Sequence, residues 1–156
     1  MPEIEGAADA RGLKVGVAVS TFNEAVTAGL LQGALEALAA AGAQDPTVVR
    51  VPGSFELPVV ARALAESGHD CVVALGAVIK GETDHYEHVA TQAIAGLRQV
   101  AVETGVPVGL GVLTTRRVEQ ARERSRPGPG NKGAEAALAA VRTANTLRRL
   151  RPPSGG

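Results

Sequence analysis

The densest polar cluster in the chain is GETDHYEH at positions 81–88, where Glu82, Thr83, Asp84 and Glu87 surround His85 and His88. It falls between an apolar run and a segment of helical period, at a strand end that opens a helix. Free N–H groups and the helix dipole at such a junction favour an anion such as phosphate. The Glu82 carboxylate would oppose an anion, so contact there is expected through backbone N–H groups and the Thr83 hydroxyl. His85 falls in the first helical turn, and an imidazole, with an unperturbed pKa near ~6.5, suits proton transfer at neutral pH. Taken alone, a histidine on an exposed turn is simply solvated. His85 and His88 stand three apart, but H-x-x-H is a weak metal signal without a third ligand from another segment. The remaining histidine, His69, precedes a strand and so belongs to the opposite sheet edge, and no metal is expected.

The aromatic residues are equally sparse: Phe22, Phe55 and Tyr86, with no tryptophan. Each follows the carboxyl end of an expected strand. A flat ligand could stack on Phe22, by analogy with bases on aromatic rings at ~1–3 kcal/mol each. The alternative is a ring that braces the helix start. Phe55, between Ser54 and Glu56, can face either ligand or core. Glu56 can accept hydrogen bonds from hydroxyls or an amine, although an acid in a first helical turn needs no function. Arg116, Arg117, Arg122, Arg124 and Arg126 form a basic stretch broken by Glu119 and Glu123. One of these arginines could grip a phosphate bidentately, the rest being a solvated face. PGPGNKG lacks the Gly-Lys-Ser/Thr order of a phosphate loop, leaving Lys132 a loop lysine. Cys71 opens an apolar strand with no basic neighbour to activate it, which fits a small buried residue rather than a nucleophile.

Those groups must be positioned by alternating elements. Strands are expected at 14–20, 47–51, 71–79 and 107–113. Helices are expected at 23–41, 56–66, 84–103, 115–124 and 134–150. Thr21 and Glu24 have capping-box spacing, and Gly42, Gly68 and Gly105 mark helix ends. Apolar stripes run through Val26, Leu30, Leu31, Ala34, Leu35 and Leu38, and through Ala134, Ala137, Leu138, Val141 and Ala144 in the last helix. Residues 71–79 are almost continuously apolar, as in a parallel strand covered on both faces. The pattern implies an α/β fold: a four-stranded parallel sheet with helices on both faces, binding ligands outside the strands' carboxyl ends. One domain, 13–150, is expected. Residues 1–12 lie outside the pattern, either disordered or pairing with a neighbouring subunit, and 151–156 form a disordered tail.

The 156 residues carry 16 basic and 16 acidic side chains, so no electrostatic reason points to nucleic acid or an acidic membrane surface. No apolar stretch approaches the ~18 residues of a membrane span. The acidic start lacks a signal peptide's apolar region, and a lone cysteine fits a reducing cytoplasm. An FMN carrier would want a glycine-rich phosphate loop after the first strand, but STFNEA has no glycine. A response-regulator receiver would want an aspartate ending the first or third strand, and neither has one.

The motifs FNE (22–24), VPGSFELP (51–58), LGAVIKGETDHYEHV (75–89), TGVPVGLGVLTT (104–115), EQARERS (119–125) and GNKG (130–133) resemble the lumazine synthase family in order and spacing. The likeness extends from Leu13 to about Leu147. It implies a flavodoxin-like sandwich and pentamers whose active sites are shared between neighbours. A short loop between the last two helices resembles members that build sixty-subunit capsids. It also implies condensation of 5-amino-6-(D-ribitylamino)uracil with 3,4-dihydroxy-2-butanone 4-phosphate in riboflavin biosynthesis, without a cofactor. On that resemblance Phe22 stacks on the pyrimidine. Ser54, Phe55 and Glu56 hold the uracil edge and ribityl chain, with Ala77, Val78 and Ile79 lining the pocket. Glu82 and Thr83 give the phosphate site and His85 is the proton donor. Leu110, Arg124 and Lys132 come from the adjacent subunit, Arg124 gripping phosphate, and riboflavin synthase is an implied associate. The chain departs from the family in Leu110, often Phe, and in Lys80, often Arg.

Overall fold

A computed structural model describes residues 1–81 and 85–151. The elements follow in the order β1 (Val15–Ser20), α1 (Glu24–Ala40), β2 (Thr47–Val51), α2 (Leu57–Glu66), β3 (Cys71–Ile79), α3 (Tyr86–Thr104), β4 (Val108–Thr115), α4 (Val118–Arg124) and α5 (Lys132–Leu150). A single 3-10 turn, Ser54–Glu56, leads into α2. The sheet is parallel throughout, with strand order β2-β1-β3-β4. Consecutive parallel strands need a crossover, and each helix is laid on one face or the other by that demand. The result is the three-layer α/β sandwich expected from the alternation.

The two central strands, β1 and β3, are buried along their whole length, as their unbroken Val, Ala, Leu and Ile content requires. One face packs under α1 and α5 through Val17, Val19, Leu30, Leu38, Leu75 and Val141. The other packs under α2 and α3 through Ala18, Leu57, Ala61, Val72, Ala74 and Leu97. With so few rings available, small side chains set a close spacing. Gly133 of α5 sits over the Leu30 carbonyl of α1, where a Cβ would collide with backbone. Burying Cys71 pushes its thiol pKa up to about 12, with Asp70 adding to the effect, so it behaves as a small apolar residue.

Several local expectations change. Thr21 and Glu24 form no capping box. The N-cap of α1 is Asn23, in the left-handed region at φ 64°, with no side-chain cap bond. Strand β4 runs on to Thr115. Helix α5 begins at Lys132, so this lysine stands in a first helical turn rather than in a loop. Its buried stripe is Gly133, Ala136, Ala137, Ala140, Val141 and Ala144, whereas Ala134 and Leu138 are only half-buried. An alanine-rich helix gives little contrast between faces, and the approach of Gly133 to Leu30 sets the rotation. Residues 6–11 lie against their own chain. The Gly6 N–H donates to Thr146 Oγ1, Asn145 Nδ2 donates to the carbonyls of Ala7 and Asp9, and the Ala10 N–H donates to Ala41 O. The tail positions 152–156 lie outside the described residues.

Candidate active site

The carboxyl ends of β1 and β3 lie side by side, because Val19 pairs with Leu75 and the strands run parallel. The chain leaving β1 is tied to the chain leaving β2: the Thr21 N–H donates to Val51 O at 2.8 Å and the Phe22 N–H to Pro52 O at 2.9 Å. Asn23, beyond it, donates from Nδ2 to Ala77 O of β3 at 3.1 Å. Few residues other than glycine tolerate φ 64°, and asparagine is one of them. Phe22 is thus pinned on both sides while its ring stays 54% exposed, a preorganised plate rather than core.

Phe22 lines a pocket of about 240 Å³ with Gly53, Ser54, Phe55, Ala77, Val78, Ile79 and Val89. The Phe55 ring is also exposed, at 64%, so the open question of whether it faces core or solvent is decided for solvent. Glu56 turns back on its own loop, where Oε1 accepts from the Gly53 N–H at 2.9 Å. That bond shapes the turn carrying Ser54 and Phe55. The Ser20 and Ser54 hydroxyls are buried and have no hydrogen-bond partner among the described residues. A Cβ at Gly76 would stand 2.5 Å from Ser54 Oγ and 3.2 Å from Ser20 Oγ. The bare strand at Gly76 is what lets both hydroxyls settle there.

His85 caps α3 and is exposed, one helical turn before Val89, whose N–H donates to the His85 carbonyl at 2.9 Å. Since Val89 lines the Phe22 pocket, the start of α3, where His85 stands, lies at the same rim of the sheet. Glu82 and Thr83, the expected phosphate contacts, lie outside the described residues, as does Asp84. Tyr86 departs from its two fellow rings: it packs, partly buried, against the core that the sheet forms with α2 and α3, and does not line the pocket. Among the described residues no group of three or more His, Cys, Asp or Glu side chains could hold a metal ion. His69 is consumed structurally, its Nδ1 lying 2.8 Å from Leu64 O and its Nε2 3.2 Å from Thr47 Oγ1.

Leu110, Arg124 and Lys132 gather elsewhere, along the outer edge of β4. They line a pocket of about 440 Å³ with the 111–116 stretch and Gln120. Its lining holds three cations, Arg116, Arg124 and Lys132, and no carboxylate. Arg124 donates from Nη1 to Gln120 O at 3.0 Å, while Lys132 pairs with Glu135 at 2.9 Å. Leu110 is 49% exposed on this edge. The Phe22 pocket and the cationic pocket share no lining residue.

Sequence reasoning passed over Asn131. It is buried, accepts from the Ala134 N–H through Oδ1, and donates through Nδ2 to the carbonyls of Gly29, Ser125 and Arg126. One side chain therefore caps α5, fastens the preceding loop to α1, and sets the position of Lys132. Its signal was present: an asparagine directly before a helical segment is a preferred N-cap.

One pocket offers exposed rings and apolar walls with His85 close by in the chain, and the other three cationic side chains with no carboxylate in the lining. A family model described as 6,7-dimethyl-8-ribityllumazine synthase matches residues 12–148, and the chain belongs to that family.

Proposed function

We propose that each active site is composite, with the Phe22 pocket and His85 of one copy facing the cationic β4 edge of the next. The reaction is the family's: 5-amino-6-(D-ribitylamino)uracil condenses with 3,4-dihydroxy-2-butanone 4-phosphate to 6,7-dimethyl-8-ribityllumazine, releasing phosphate and water. An amine attacks the ketone, water leaves as the imine forms, phosphate is eliminated, and a second amine closes the ring with loss of water. Oxidation state is conserved over the whole sequence, so what the protein must supply is orientation and proton transfer.

In this reading Phe22 stacks on the pyrimidine, while Ser54, Phe55 and Glu56 meet its edge and the ribityl chain. Ala77, Val78 and Ile79 form the wall from β3. His85 donates the proton, Glu82 and Thr83 contribute to the phosphate site, and the adjacent copy brings Leu110, Arg124 and Lys132. Arg124 grips the phosphate, neutralising the charge that grows as it leaves. The observation that carries the reading is the separation of ring and cations into two pockets with no common residue. Each pocket alone has half of the groups that the condensation requires.

A pentamer supplies five such junctions, and the short 125–131 connection between α4 and α5 supports twelve pentamers closing as a capsid. A cytoplasmic location and an association with riboflavin synthase belong to the same proposal. The test is a lumazine fluorescence assay with both substrates, run beside light scattering. Product should form only with both substrates and in particles of pentamer mass or larger. Full activity in a particle of single-chain mass would overturn the composite site.

A further inference from the structure

We infer that Arg116 is a second guanidinium for the phosphate of the butanone substrate, acting beside Arg124. The inference rests on the composite-site reading and deepens it. Arg116 follows the last residue of β4 and is exposed, yet it lines the same pocket as Arg124 and Lys132. Its backbone is held from two directions. Gln120 Oε1 accepts from the N–H groups of Arg116 and Arg117 at 3.0 and 3.1 Å, and Thr115 Oγ1 donates to Arg117 O at 3.0 Å. The turn that presents Arg116 is therefore fixed before any anion arrives, which lowers the ordering cost of binding.

Charge points the same way. Among the described residues neither Arg116 nor Arg124 forms an ion pair. Two guanidinium groups outside any ion pair, Arg124 spending one N–H on Gln120 O, in a cavity lined by no carboxylate are suited to a dianion, which offers more oxygens than one planar fork can engage. Arg117 is the built-in comparison. It has the same charge, is one residue away and is clamped by the same carboxamide, but it does not line the pocket.

The experiment uses the assembled full-length enzyme with inorganic phosphate as a competitor of the butanone phosphate. Arg116→Gln should raise the phosphate inhibition constant and the KM for butanone phosphate roughly three- to fivefold, the effect of one partly exposed charge contact. The KM for the pyrimidine should hold, and the loss should shrink as salt is raised. Arg116→Lys should recover part of the effect by restoring charge without the fork. Arg117→Gln should leave both constants unchanged. Equal shifts in Arg116→Gln and Arg117→Gln would reduce the effect to the general field and overturn the inference. So would an unmoved Arg116→Gln beside an impaired Arg124→Gln, with the composite site left standing. If Arg124→Gln is also unmoved, the phosphate pocket itself is misplaced and both readings fall together.

Discussion

The two pockets are built by different means. The Phe22 pocket is made of strand ends and backbone ties: Pro52 O and Ala77 O hold the chain on either side of the ring, and Gly76 leaves room for two buried hydroxyls. The cationic pocket is made of long side chains hung on an edge strand and two helix termini, and positioned by the amide groups of Gln120 and Asn131. The first fits a rigid, flat heterocycle that must be oriented. The second fits a charged group that must be held and then released. On the composite-site proposal, rigid apolar walls give orientation and cations at an open edge give charge compensation.

That contrast predicts separable kinetic effects, of which the largest is at the charged edge. Arg124→Ala should lower kcat/KM by roughly 10²-fold or more, through loss of charge stabilisation as phosphate leaves. It should show against butanone phosphate and leave the affinity for the pyrimidine unaltered. Phe22→Ala should do the reverse, raising the KM for the pyrimidine by about tenfold, as expected for loss of one stacking surface. If either variant shifts both substrates equally, the division of labour between the pockets is wrong.

A third variant separates positioning from contact. Asn131→Ala removes a helix cap and several buried hydrogen bonds together, so urea unfolding should show a loss of about 2–3 kcal/mol. Because Lys132 follows directly, the cationic pocket should lose function before the Phe22 pocket does. The smallest effect should come from Leu110→Phe. A second ring at this exposed position would add stacking but forfeit leucine packing, lowering the KM for the pyrimidine about threefold in steady-state kinetics.

The contrast also marks how far the residues could be read without coordinates. The parallel sheet was legible because β3 is apolar at nearly every position and the glycines at 42, 68 and 105 stop their helices in left-handed geometry. The place of Phe22 after a strand end was legible, but whether its ring faced solvent or braced the helix start was not, and its exposure decides for solvent. Tyr86 did not follow its fellow rings, because a residue in the first turn of a helix can face either way, and it packs against the core under α2 and α3. The buried stripe of α5 was misread because alanine contributes no contrast, and a glycine contact with α1 decides the rotation. Asn131 and Asn23 escaped notice for another reason. Asn23 donates to a carbonyl far away in sequence, at Ala77, which leaves no local pattern, whereas the capping role of Asn131 was legible locally and only its tie to Gly29 was not.

Complementation between two damaged copies tests the composite site most directly. Phe22→Ala with His85→Ala damages one half, and Arg124→Ala with Lys132→Ala damages the other. The two inactive chains are unfolded, mixed in equal amounts and refolded together. Random co-assembly should then regenerate intact sites at roughly a quarter of the junctions, since each site takes one half from each neighbour. Recovery of about that fraction of wild-type lumazine formation is the predicted result. Mixed particles with no more activity than either parent would contradict the account, by showing that ring and cations serve one chain alone or no common site at all.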